Sequence, residues 1–182
     1  NKIAIIIAAR NESKVIGKLI ESLNKQKYPK EKYDVYVVPN NCTDNTREVA
    51  LDNGAKVIDC NIKVSSKGEV LRYTFDHIFT NNDTYDAFCI FDADNIVHPD
   101  FLNRMNDAIC AGYRVAQGYR DSKNPSDSWI SSCYSLFYWV QNYFFNQARM
   151  NMGWSSSING TGFMISKEVL VKNGFNTVTM TE

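Results

Sequence analysis

The chain opens on an unbroken apolar run, Ile3 to Ala9. Such a run predicts a strand covered on both faces, because a half-exposed strand would alternate. Over residues 13–26 the period becomes helical, with Val15, Ile16, Leu19, Ile20 and Leu23 on one face. The alternation continues with a strand over Tyr33 to Val38 and a helix over 45–53, which Thr43 or Asp44 can cap and Gly54 can stop. A short strand over Ala55 to Ile58, a helix over 67–80 and an all-apolar strand over Ala87 to Phe91 follow. After Pro99 the pattern predicts a helix burying Phe101, Leu102, Met105 and Ile109, then a strand over Tyr113 to Tyr119 and a polar loop over 122–128. One or two long helices over 129–150, a strand over 158–165 and a short helix over Glu168 to Lys172 complete the reading. Strands alternating with helices predict an α/β domain, with a mainly parallel sheet flanked by helices. With no repeat, low-complexity tract or linker, residues 1–182 read as a single domain.

Composition narrows the function classes. A hydrophobic fraction of 44% and a charged fraction of 22% are those of an ordinary globular protein. Net charge is zero, which removes the electrostatic case for nucleic acid as a partner. The five cysteines are odd in number and form no Cys-x-x-Cys pair, so free thiols in a reducing compartment fit better than a disulfide framework. The two histidines stand in no zinc-ligand spacing. No apolar run reaches the ~18 residues of a membrane span, and no signal peptide is visible, so the chain itself reads as soluble. It starts on a strand without Met and looks like a piece of a longer protein.

The strongest chemical signal is Phe91-Asp92-Ala93-Asp94-Asn95. It follows an apolar strand, which puts both carboxylates at a strand's carboxyl end, where open α/β sheets bind ligands. In extended backbone, residues two apart project to the same side, and like charges that close call for a cation between them. Mg²⁺ typically shares such carboxylates with substrate phosphates. The plainer alternative is a turn with local Asp and Asn bonds. A second strand end, Ala8-Ala9-Arg10-Asn11-Glu12, offers small residues beside a backbone, an acceptor for a ribose hydroxyl or base in Glu12, and a phosphate or acid partner in Arg10. A third runs from Val38 through Asn40 to Thr46, where helix capping explains part of the composition. Lys67-Gly68 opens a helix, so a phosphate there would meet both an ammonium and a helix N-terminus. Ile158 to Phe163 is glycine-rich but fits neither the dinucleotide fingerprint nor the P-loop, and reads as a close strand approach or binding loop.

In this order and at these strand ends, the pieces resemble a family 2 glycosyltransferase of the Rossmann-like GT-A fold, close to membrane-associated cellulose-synthase-like and N-acetylglucosaminyltransferase members. Ile5 to Glu12 is similar to that family's opening strand and turn, and Asn41 to Thr46 to its second motif. Lys67-Gly68 resembles the third motif, Asp92-Ala93-Asp94 the metal triplet, and Gly160-Thr161-Gly162 the acceptor-side loop. Thr181-Glu182 resembles the start of a Thr-Glu-Asp motif, which makes the chain a fragment ending inside it.

The resemblance implies an inverting transfer of glucose or N-acetylglucosamine from a UDP-sugar to a saccharide or lipid-linked hydroxyl, with Mg²⁺ or Mn²⁺. It implies uridine contacts for Ala9 and Glu12, a nucleotide contact for Lys67, a ribose and metal role for Asp92, and metal ligation by Asp94, with Arg10 in the same donor site. Asn40 stands where many members carry an Asp for the uracil; its carbonyl can still accept the N3 proton. The catalytic set is Asp94 with Glu182, the base itself being expected directly after Glu182, so the fragment is expected to transfer almost no sugar. Asn40 and the missing base also motivate a catalytically degenerate binding domain. A nucleotidyltransferase is the other alternative, although Ala8 to Ser13 lacks the glycine such enzymes want after the first strand.

Residues 129–154, with Trp129, Trp139 and Trp154, are read chiefly as a core-packing helix. Their aromatic content also suits a membrane interface. Together with the free thiols, this puts the expected full-length protein at the cytoplasmic face of the cell membrane.

Overall fold

The computed structural model describes residues 1–62, 64–81 and 84–176. Thr181 and Glu182, on which the Thr-Glu-Asp reading rests, lie outside the described residues. The strands are β1 (Ile3–Ala9), β2 (Tyr33–Pro39), β3 (Lys56–Val57), β4 (Ala87–Asp92), β5 (Val115–Gln117) and β6 (Phe163–Ser166). The helices are α1 (Ile16–Asn24), α2 (Thr46–Asp52), α3 (Lys67–Thr80), α4 (Phe101–Cys110), α5 (Trp129–Val140), α6 (Ala148–Asn151) and α7 (Lys167–Asn173), with a π-helical stretch over Gln141–Gln147 joining α5 to α6.

One six-stranded sheet runs in the order β3-β2-β1-β4-β6-β5. The first four strands are mutually parallel, and β6 pairs antiparallel with both β4 and β5. A mainly parallel sheet is therefore what forms. The apolar run of β1 is covered on both faces, and its period of two divides the core. Ile3, Ile5 and Ile7 face α1 and α4 through Leu19, Leu23 and Leu102; Ala4 and Ile6 face α3 and α7 through Leu71, Phe75 and Leu170. All of these residues are buried.

Helix α3 begins where Lys67 was expected to open it. Ser66 accepts from the Glu69 N–H at 3.3 Å, and Glu69 returns a bond to the Ser65 N–H at 2.7 Å, close to a reciprocal capping box. Helix α2 differs in its cap. Asn45 is the N-cap residue and makes no side-chain cap bond. Asp44 accepts instead from the Thr46 N–H at 3.1 Å. The expected strand over 158–165 shortens to β6, because residues 159–162 form a loop with positive φ at Gly160 and Gly162.

The core-packing reading of the aromatic helix is overturned. No residue of α5 or of the π-helical stretch is buried, and Trp129, Phe137, Trp139 and Phe144 are all exposed. Periodicity cannot show whether an apolar face has a partner, and here the sheet is already covered by α1, α3, α4 and α7. Among the described residues no helix is long and apolar enough to cross a membrane.

Candidate active site

Strands β1, β2 and β4 end on the same side of the sheet. The chain winds outward from β1 to β2 and β3 on one side, and resumes at β4 on the other. Such a switch point opens a crevice at the carboxyl ends. The turns after β1 and β2 are stitched together there by four bonds. The Glu12 N–H donates to Thr46 Oγ1 at 2.9 Å and the Ser13 N–H to Asp44 Oδ2 at 3.1 Å. The Thr43 N–H donates to Asn11 Oδ1 at 2.7 Å, and the Asn11 N–H approaches Cys42 Sγ at 3.5 Å. Both turns use a left-handed asparagine, Asn11 at φ 58 and Asn41 at φ 49, a conformation Asn tolerates better than most residues.

These turns bring acids together. Glu12 is half-buried, and its carboxyl is pushed above the usual range, first by burial and then by the charges of Asp94, Asp44 and Asp92. Asp44 moves the other way, down to about 2, because the Thr46 and Ser13 bonds hold its charged form. A carboxylate depressed in the fold stabilises above its unfolded pKa, and that contribution is lost as pH falls through the folded value. The stitching should therefore weaken as pH falls from about 4 towards about 2. Thermal melting across that range should show Asp44→Asn with a smaller acid-induced loss than the wild type.

Asp92 closes β4 and lies against the Lys67 ammonium. Lys67 also donates to the Gly160 carbonyl at 2.9 Å. Asp94 is exposed, accepts from Asn95 Nδ2 at 3.1 Å, and has its backbone carbonyl bonded by Lys123 Nζ at 2.6 Å. The argument from extended backbone fails at this point. The strand ends at Asp92, and Ala93 and Asp94 form a turn in which the Asn95 N–H donates to the Asp92 carbonyl at 3.2 Å. What unites the two acids is their common effect on Glu12.

The structure places the remaining sequence candidates as follows. Ala9 is buried, with its carbonyl bonded by the Asn40 N–H at 2.9 Å. Arg10 is exposed beside it. Asn40 is buried; its Oδ1 accepts from Asn41 Nδ2 at 3.1 Å, and its Nδ2 has no partner among the described residues.

Two further residues hold the acidic turn, one of them inside the glycine-rich loop that the sequence singles out. Thr161 is buried, accepts from the Asp92 N–H at 2.8 Å and donates to Asn95 Oδ1 at 2.5 Å, so it fixes the acidic turn from below. Gln117 Nε2 in turn bonds the Thr161 and Gly162 carbonyls at 3.0 and 3.1 Å. A threonine between two glycines was the available signal for Thr161; nothing local marked Gln117. The packing here is close enough to require Gly118, where a Cβ would lie 2.6 Å from the Phe101 ring and 2.9 Å from the Gly162 oxygen. A cleft of about 890 Å³ starts at Asp94, crosses Gln117 and Gly118, and reaches Tyr134 and Tyr138 of α5.

The donor set fits a hard divalent cation: two carboxylates, Asp92 and Asp94, at the carboxyl end of β4 and in the turn after it. Among the described residues no three His, Cys, Asp or Glu side chains converge on one point. Mg²⁺ or Mn²⁺ at Asp94 and Asp92 would thus complete its shell with water and substrate oxygens, as such ions commonly do beside phosphates.

Comparison with known proteins bears on the fold and the family. The beta-monoglucosyldiacylglycerol synthase of Synechocystis sp. is 25% identical over 195 residues, covering 100% of this chain and 38% of that protein. A mannosyltransferase from Pyrobaculum calidifontis, solved with GDP-Man and Mn²⁺, superposes with a TM-score of 0.73 at 18% identity, over 97% of this chain and 47% of that one. Glucosyl-3-phosphoglycerate synthase from Mycobacterium tuberculosis, solved with Mn²⁺, UDP and glucosyl-3-phosphoglycerate, gives 0.61 at 18% identity, over 93% and 58%. The chain spans less than two thirds of each, and at these identities the structures establish the GT-A fold. The model of the family described as Glycosyltransferase like family 2 matches residues 1–179, and the chain belongs to that family.

Proposed function

We propose that this chain carries the donor site of an inverting, metal-dependent glycosyltransferase that moves glucose or N-acetylglucosamine from a UDP-sugar to a hydroxyl acceptor. The observation that carries the reading is the Lys67–Asp92 pair at the end of β4, with Asp94 in the turn that follows and Glu12 and Asp44 at the turns of the neighbouring parallel strands. One of the solved relatives was captured with UDP and Mn²⁺, which supports the donor class and the ion. In this reading Asp94 and Asp92 hold Mg²⁺ or Mn²⁺, and the bound ion offsets charge on the departing diphosphate. Lys67, at the first residue of α3, adds an ammonium and a helix N-terminus to the same diphosphate. Glu12 accepts from the nucleoside, Asn40 accepts the uracil N3 proton through the remaining lone pair of Oδ1, and Ala9 and Arg10 border the nucleotide.

The acceptor oxygen forms a bond to the anomeric carbon from the face opposite UDP. The anomeric carbon–oxygen bond breaks, its electron pair leaves with UDP, and the acceptor proton passes to a general base. The resemblance puts that base next to Glu182, outside the described residues. The acceptor is a saccharide or lipid-linked hydroxyl, and the full-length protein works at the cytoplasmic face of the cell membrane. The exposed aromatic helix and the lipid in the name of the Synechocystis relative support the membrane setting.

Calorimetric titration of UDP tests the donor site. Binding should appear with Mn²⁺ or Mg²⁺ and fall by at least ~10-fold in EDTA, about 1.4 kcal/mol. Equal affinity in EDTA would remove the metal from the reading.

A further inference from the structure

The helical segment 129–151 is amphipathic in the wrong sense for water. Several of its polar side chains bond the flanking loops. Ser132 Oγ donates to the Pro125 carbonyl at 2.7 Å, and Ser135 Oγ donates to Asp121 at 2.5 Å. Asn142 Nδ2 donates to the Arg120 carbonyl at 2.9 Å, and Asn146 Oδ1 accepts from Ser157 Oγ at 3.0 Å. Tyr138 borders the cleft, whereas other aromatic side chains stand out into solvent: Trp129 is 76% exposed, Phe144 66% and Phe137 58%. A helix facing water shows the opposite arrangement, with its apolar stripe inward. Moreover, no Asp, Glu, Lys or Arg occurs from Trp129 to Ala148.

We propose that the outer face of this segment seats in the headgroup layer of an anionic lipid bilayer. This deepens the membrane reading above by naming the element that makes the contact. Three observations favour a bilayer over a protein partner. The exposed set mixes Trp, Tyr and Phe along one helical segment, the composition enriched where lipid meets water. Cations flank the neutral segment: Arg120 lies 4.9 Å from the Tyr138 ring, and Arg149 lies 5.2 Å from Phe145 and 5.6 Å from Trp154. Neutral aromatics bordered by Arg match acyl chains bordered by anionic headgroups. Finally, Tyr134 and Tyr138 form one wall of the cleft that begins at Asp94. One segment thus borders both the cleft and the exposed aromatic face.

All three tryptophans of the chain, Trp129, Trp139 and Trp154, lie on or just after this segment, so tryptophan emission, excited selectively over the tyrosines, reports on it. The chain is mixed with phosphatidylcholine–phosphatidylglycerol vesicles whose acyl chains carry bromine. Quenching and a blue shift are expected, and Phe137→Glu with Phe144→Glu should lower vesicle partitioning by at least ~10-fold. UDP binding with Mn²⁺, measured on the same samples, should be unchanged in that variant. No quenching by vesicles, equal partitioning of the variant, or self-association in sedimentation without quenching would each overturn the lipid proposal. Loss of UDP binding in the wild type would instead overturn the donor-site reading and leave the vesicle result standing.

Discussion

Asp94→Asn should abolish the gain in UDP affinity brought by Mn²⁺ and lower sugar transfer by the full-length protein by at least ~10²-fold. The substitution keeps the shape and the bond to Asn95, and removes only charge. Asp94 is exposed, and its carboxylate accepts from Asn95 Nδ2. Asp92, by contrast, already faces Lys67. The loss should therefore fall on cation binding rather than on folding. The check is paired: calorimetry of UDP with and without Mn²⁺, and the melting temperature of the variant. An Asp94→Asn chain whose UDP affinity still responds to Mn²⁺ as the wild type does would remove Asp94 from the metal site. Removing this charge should also bring the Glu12 carboxyl down, since Asp94 is the foremost of the charges that raise it. A carbon-detected NMR titration of Glu12 reads that change independently of any ligand.

Lys67→Met should weaken UDP binding by ~10–100-fold, the range expected when a charge-assisted bond worth about 1.5–3 kcal/mol is lost. The ammonium sits between Asp92 and the Gly160 carbonyl, with its side chain only 18% exposed. Methionine keeps the length and loses the charge, leaving Asp92 without that partner. Two ligands should then respond with opposite signs. The diphosphate loses a cation and binds more weakly, whereas Mn²⁺ alone meets a more negative site and binds no more weakly than before. Separate titrations of Mn²⁺ and UDP make the distinction. A parallel drop in both would mean that Lys67 acts by holding the Gly160 loop in place rather than by meeting the nucleotide.

Much of this was legible along the chain, for identifiable reasons. The apolar run of β1 and the matching run of β4 admit no exposed face, so a sheet covered on both sides follows from composition alone. The end of such a run must release its polar residues, which is why Asp92, Asn40 and Arg10 fall at strand ends. Ser66 to Glu69 carries its own cap, and α3 begins where that local chemistry says it should.

Other features depended on contacts between distant residues. Asp44 looked like a helix cap, yet it also holds the Ser13 N–H, 31 residues away. Thr161 gains its role only because β6 lies beside β4, which puts its hydroxyl under Asp92. The even spacing of Asp92 and Asp94 suggested an extended pair, but the strand stops between them. A turn and a shared electrostatic field, rather than strand alternation, relate the two acids.

The aromatic segment shows the division most clearly. Its helical character follows from local sequence, and Ser128 caps its start by accepting from the Ser131 N–H at 3.1 Å. Which way it faces does not. Hydrophobic periodicity reports that a face seeks cover and is silent on what provides it. The sheet has room for only so many helices, and α1, α3, α4 and α7 already occupy both of its faces. The amino-acid sequence by itself thus determined the strands, most of the helices and the residues released at strand ends. The tertiary structure alone decided which acids share a field and which apolar face remains outside, because both depend on the order in which strands pair and on the area left once the core is closed.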